Sequence, residues 1–273
     1  MSVPFVHLRV HSEFSLSDSV VRIPDLAAIA RTQGMPAVAL TDLNNLFGVV
    51  KFYREAVAAG IKPLIGADVY LENAADPHKP FRLLFLCQNL EGYRELCRLL
   101  TRAYVEGQHS GRPCIAKSWL KAPVPGLIAL SGAQEGDIGQ ALLAGNASLA
   151  DILARTYAEH FPGRFYLELQ RTGHPHQEDY VHAAAGLAVR LGLPVVATNN
   201  VVFLKPEEYD AHEVRVCIQE GRVLTDPRRP RRYTPQQSFR SPEEMSELFA
   251  DIPEALANSV DIARRCNVRL ELG

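Results

Sequence analysis

The residues best suited to chemistry stand near the N-terminus, in the run His7-Leu8-Arg9-Val10-His11-Ser12. Residues i, i+2 and i+4 of a strand share one face, so His7, Arg9 and His11 are expected to project together if the strand is regular. Two imidazoles spaced this way are a common start to a metal site. Position 9 instead carries a guanidinium, which stays protonated and cannot ligate a cation. Arg9 therefore decides whether the chain is a working metalloenzyme or the shell of one.

The elements that must position these groups can be read from hydrophobic periodicity. Apolar runs at residues 5–10, 37–41, 63–71, 82–87, 127–131, 165–170 and 194–198 read as seven strands. Most are near-continuously apolar, which predicts a parallel sheet buried on both faces. Helical patterns fill the gaps at 23–33, 46–59, 90–106, 137–143, 149–160 and 176–191, several of them closed by Gly34, Gly60, Gly107 or Gly192. Alternation of this kind predicts an α/β fold with a barrel-like closed sheet. Beyond residue 204 come helices at 207–219, 242–249 and 252–266, an Arg- and Pro-rich loop at 225–239 and a short strand at 268–272. The chain reads as one domain, with residues 1–205 as the βα core and 206–273 as a helical C-terminal extension. Function in such sheets gathers at the C-terminal strand ends, which here carry His11-Ser12, Thr41-Asp42, Asp68, Ser131-Gly132 and Thr198-Asn199-Asn200.

Composition excludes several classes. A net charge of −2 over 273 residues leaves no electrostatic footprint for nucleic acid or an anionic membrane. Five cysteines without a CxxC pair read as free thiols in a reducing, cytoplasmic compartment. The sequence shows no signal peptide and no apolar run of the ~18 residues a membrane span needs. His174-Pro175-His176 reads as a surface loop, His7 as a core or rim residue, and His212 as part of a solvated helix face. Arg228-Arg229-Pro230-Arg231-Arg232-Tyr233 reads as an interdomain or partner contact, with a phosphate backbone as the second reading. No phosphate-cradling GxxxxGK[ST] and no Ser/His/Asp arrangement stands out.

Several motifs carry a resemblance. HLRVHSEFSLSD (7–18), AVALTDLNNLFG (37–48), IKPLIGADVYL (61–71), NLEGYRELCRLLTRAYVEG (89–107), GLIALSG (126–132), LPVVATN (193–199) and DIPEALANSVDIARRCNV (251–268) occur in order over nearly the whole chain. The sequence is similar to the N-terminal PHP domains of bacterial replicative DNA polymerase III alpha subunits. The resemblance implies a distorted seven-stranded (β/α) barrel with a metal centre at the strand ends and an extension leading toward the polymerase palm and thumb. It also implies a ligand set, which can be followed position by position. The paired His of the first strand become Arg9 and His11, and the next Asp is kept as Asp18. The His of a Thr-Asp-His motif is Leu43, after Thr41 and Asp42. A Glu is shortened to Asp68. A His at the fourth strand falls on Arg82 and a Cys on Ala133. The final Asp-x-His falls on Asn200 and Val202.

His11, Asp18 and Asp68 are thus the remnant ligands. Zinc wants about four N or S donors, or three and a water, and a multi-metal cluster needs more. No catalytic residue, metal or other cofactor is expected here. Arg9 and Arg82 are expected to supply the charge the metals would have carried, pairing with Asp18, Asp42 or Asp68, because an unpartnered buried carboxylate is costly. The resemblance implies a domain that supports the polymerase body, namely the remainder of the alpha subunit, and docks the separate proofreading exonuclease (epsilon) subunit. The alternative is a weakly active phosphoesterase, a pyrophosphatase or 3′-5′ exonuclease, with one loosely held Mn or Zn ion. The parent subunit would be the DNA-directed DNA polymerase, a nucleotidyltransferase. Its palm lies beyond these residues, so this chain is not expected to polymerise DNA and would meet DNA only through the full-length polymerase.

Overall fold

The structure is a computed structural model that describes residues 4–109 and 111–272. Its strands are β1 (Ala37–Leu40), β2 (Lys62–Leu71), β3 (Phe81–Cys87), β4 (Gln108–His109), β5 (Arg112–Ile115), β6 (Leu127–Leu130), β7 (Phe165–Gln170) and β8 (Val195–Thr198). The order in the sheet is β4-β5-β2-β3-β6-β7-β8, with β1 pairing β2 in parallel. The segment 5–10, expected as a strand, lies between β1 and the end of β8. Ala39 and Thr41 donate backbone bonds to His7 and Val10, while Val201 donates to Arg9 and accepts from His11. This segment has no continuous ladder, only a bridge at Val10.

The helices are α1 (Ile23–Thr32), α2 (Val49–Ala58), α3 (Leu90–Val105), α4 (Asp137–Leu143), α5 (Ala147–His160), α6 (Gln177–Leu191), α7 (Tyr209–Glu220), α8 (Pro242–Leu248) and α9 (Pro253–Arg265). Their ends follow local chemistry. Asn89 caps α3 by accepting from the Gly92 N–H, and the Ser241–Glu244 capping box opens α8. Gly192, at φ 64°, closes α6 in the left-handed conformation. A large apolar layer packs strand residues such as Val38, Val69, Phe85 and Leu167 against helix residues such as Leu26, Phe52, Leu99 and Leu187. A second cluster packs Leu8, Leu64, Leu84, Ile128 and Val196 with Ile262, Ala263 and Cys266, so α9 seals it.

The structure departs from the expected elements in three further ways. The sheet is mixed, because β3 runs antiparallel to both β2 and β6. A short β4–β5 hairpin follows α3. Residues 268–272, expected as a strand, form no strand and join no ladder. The reversal of β3 matters for the site: Tyr70 of β2 lies opposite Arg82, at the beginning of β3. Arg82 thereby reaches the end of the sheet where the parallel strands finish.

Candidate functional site

Four elements converge on a buried cluster of charge. Arg9, on the first segment, is 1% exposed. Its Nη1 donates to both carboxylate oxygens of Glu168, at 3.2 and 3.1 Å. Its Nη2 lies 2.5 Å from Asp68 Oδ2 and 3.8 Å from Glu135, which is solvent-exposed. Arg82 grips Asp68 through two bonds, Nε to Oδ1 at 3.0 Å and Nη2 to Oδ2 at 2.5 Å. Asp68 also accepts from His11 Nε2 at 3.1 Å. Burial works against the Asp68 charge, but Arg82, Arg9 and His11 outweigh it and hold the carboxyl well below its usual range. Against the cost of burial, Asp68 and Glu135 raise Arg82 well above its ordinary value.

A second chain of contacts leads outward. His11 Nδ1 donates to Asp18, and the Tyr233 hydroxyl donates to the other Asp18 oxygen. Burial disfavours the charged imidazole, yet Asp18 and Asp68 lift His11 to about 9. Burial likewise opposes the Asp18 carboxylate, but His11 pulls its pKa down. The extension is thus tied to the cluster at Tyr233. It is tied again at His212, which meets the Asp18 carbonyl at 3.0 Å.

The structure brings Arg9, Arg82, His11, Asp18 and Asp68 together. Asp42 stands apart from the arginines. It accepts from the Ser12 backbone at 2.6 Å and from the Ser12 and Ser15 hydroxyls, and burial raises its pKa despite these bonds. Asp42 therefore organises the turn after the first segment rather than pairing with Arg9. His7 does not join the cluster either. It packs against Phe5 and Phe239, bonds the Arg240 carbonyl at 2.8 Å and is pushed down to about 4 by burial. Leu8 and Val10 pack into different apolar clusters, so regular alternation is not kept along this segment.

Of the substituted positions, Leu43 forms a bridge with Asp68 and Val202 is buried. Ala133 adopts φ 50° beside Gly132, and Asn200 adopts φ 46° with a buried Oδ1 that has no partner among the described residues. Any side chain at Gly132 would place Cβ 2.1 Å from the Arg82 carbonyl, so a glycine is required for this turn to close against β3. His212, expected on a solvated helix face, is instead buried because Phe203 and Tyr233 pack edge-on against it. In the Arg-rich loop, Arg229 pairs with Glu213 and Arg232 with Glu220 at 3.2 Å, which folds the loop back onto α7. His174 and Pro175 border the cleft above the cluster.

Glu168 was missing from the expected set. It accepts from Thr198 Oγ1 at 2.6 Å and Gln170 Nε2 at 3.0 Å besides Arg9. Its signal in the sequence is an ionisable residue in the middle of the apolar run FYLELQ. A charge placed there needs a buried partner of opposite sign.

The donor set does not fit a metal cluster. Both Asp68 oxygens are engaged by Arg82, both His11 nitrogens by carboxylates, and Arg9 places fixed positive charge between Asp68 and Glu168. Among the described residues, no three His, Cys, Asp or Glu side chains are arranged to hold a metal ion. No helix among them is long and apolar enough to cross a membrane.

Comparison with known proteins places the site in context. A family model described as "PHP domain" matches residues 7–172. The whole chain is 52% identical to part of the DNA polymerase III subunit alpha of Pseudomonas aeruginosa and 51% identical to part of that of Escherichia coli K12. It spans 23% and 24% of those relatives, and the matching part is their N-terminal region. A solved structure of a putative metal-dependent phosphoesterase from Bifidobacterium adolescentis is 12% identical, with a TM-score of 0.45 over 72% of this chain and 87% of its own.

Proposed function

From its membership of the PHP domain family, to which this chain belongs, we propose that it is the N-terminal domain of a replicative polymerase alpha subunit whose metal centre has been exchanged for an ion-pair cluster. The observation that carries this reading is Arg9, buried between Glu168 and Asp68 among remnant ligand positions. A guanidinium donates five N–H groups and accepts none, so it neutralises the carboxylates without offering a Lewis acid or an activated water. The domain then acts through its shape. It supports the remainder of the alpha subunit and docks the proofreading exonuclease (epsilon) subunit, in the cytoplasm, and meets DNA only through the full-length polymerase.

Two measurements test this. Elemental analysis of the purified chain after dialysis is expected to find Mn and Zn far below one ion per chain. Co-purification with the cognate exonuclease subunit is expected to give a stable complex. A tightly held transition metal at one per chain, with phosphoesterase turnover abolished by His11→Ala, would replace this reading with that of a metal-dependent pyrophosphatase or 3′-5′ exonuclease.

A further inference from the structure

Three clefts run together across the face that holds the ion-pair cluster. The largest, about 680 Å³, lies over Asp18 and Arg82 and is bordered by Lys79, Arg112 and Arg232. It shares Tyr70, Arg112, Arg232 and Tyr233 with a second cleft of about 540 Å³. That cleft shares Asn44, Asn45, Phe47 and Tyr104 with a third, of about 390 Å³. The result is one groove with chemically different ends.

At one end, Lys79, Arg112 and Arg232 are exposed, and Arg82 and Arg112 lie 5.2 and 5.9 Å from the Tyr70 ring. The acids at this end are few. Asp18 is already committed to His11 and Tyr233, leaving the exposed Glu135 and the partly buried Glu220 that lines the second cleft. Arg232 and Lys79 each hold one pair, with Glu220 at 3.2 Å and Asp76 at 3.6 Å, while their own side chains stay 59% and 83% exposed, so solvent screens both pairs. At the other end, Phe47 is 66% exposed and Val105 76%, beside Tyr104, Leu46 and Leu100. Contiguous apolar exposure of this kind marks an interaction surface.

We propose that the joined clefts form a docking groove for an extended segment of a partner protein, acidic where it crosses Arg112 and Arg232 and ending in an aromatic or aliphatic anchor against Phe47 and Tyr104. Charge complementarity sets the direction of the segment, and the apolar end supplies the anchor. A single nucleic-acid strand satisfies the cationic end but leaves the aliphatic wall of Leu46, Leu100 and Val105 without a matching surface. The inference deepens the docking reading and rests on it only for the partner's identity.

The test uses fluorescence anisotropy with a panel of labelled synthetic peptides that join a block of glutamates to a Leu, Phe or Tyr anchor. A labelled oligothymidylate is measured alongside. A peptide with both features is expected to bind, and Phe47→Asp, Val105→Asp and the pair Lys79→Glu with Arg112→Glu are each expected to weaken it at least about tenfold. Val189→Asp, on the exposed surface of α6, is expected to leave binding unchanged. All these positions are exposed, and melting curves matching the unaltered chain confirm that the variants fold. Absence of peptide binding, equal binding by the groove variants, or preference for oligothymidylate overturns the proposal. The exonuclease subunit separates the two readings. Undiminished capture by the groove variants overturns the groove and leaves docking intact. Failure to bind even the unaltered chain, with groove-dependent peptide binding retained, removes that partner and leaves the groove.

Discussion

Replacing Arg9 with Met removes a buried charge while keeping an unbranched stem in place, and the two carboxylates it serves should respond differently. Asp68 retains Arg82 and His11. Glu168 retains the Thr198 hydroxyl and the Gln170 amide, but among the described residues no second cation pairs with it. Breaking a buried pair from one side costs about 3–5 kcal/mol, because the remaining charge is left without compensation. At roughly 2–4 °C per kcal/mol for a domain of this size, the melting temperature should fall by roughly 6–20 °C. Adding Glu168→Gln to Arg9→Met should recover at least half of the loss, since the amide oxygen still accepts from Thr198. The exposed Arg98, paired with Glu95 on the surface of α3, is the control, and its replacement by Met should cost less than ~1 kcal/mol. Urea titrations of the four proteins supply the free energies. A melting temperature for Arg9→Met within about a degree of the unaltered chain, or no rescue by Glu168→Gln, would refute the claim that Arg9 neutralises the cluster.

Two further outcomes follow from the outward chain of contacts. His11 titrates at about 9 in the fold against an ordinary value of 6.5, so its contribution, about 3 kcal/mol, is complete below about pH 6.5 and fades as pH rises to about 9. Stability measured across that window should decline, His11→Gln should flatten the decline, and equal stability of the unaltered chain at both ends would count against the assignment. Tyr233→Phe removes the hydroxyl that binds Asp18, a bond to a charged group worth about 1.5–3 kcal/mol. Trypsin should then cut the Arg-rich loop several-fold faster, and an unchanged cutting rate would show that Tyr233 does not hold the extension down.

Much of the fold was legible because apolar runs and glycine stops report burial directly. Six of the seven expected strands carry ladders, and these and the helices between them fall close to their expected positions. Strand direction was not legible: FRLLFLC has the same apolar pattern whichever way it runs, so the reversal of β3 went unread. In the site, Arg9 and His11 were found through the spacing of one short run. Glu168 was overlooked because its partner lies 159 residues away, and no local pattern encodes such a pair. His212 was misjudged for a related reason. The periodicity of α7 cannot foresee that an Arg- and Pro-rich loop will return to cover it through Tyr233.

The charge at the centre of this site is held by peptide bonds. A metal ion exchanges with its surroundings, so its occupancy follows supply, competition and chelation. Arg9 has no free concentration and no off-rate. Its presence between Asp68 and Glu168 is fixed when the chain is synthesised, and no chelator can strip it out. The charge Arg9 brings to the cluster is therefore the same in every copy of the protein, whatever the ionic history of the cell that made it.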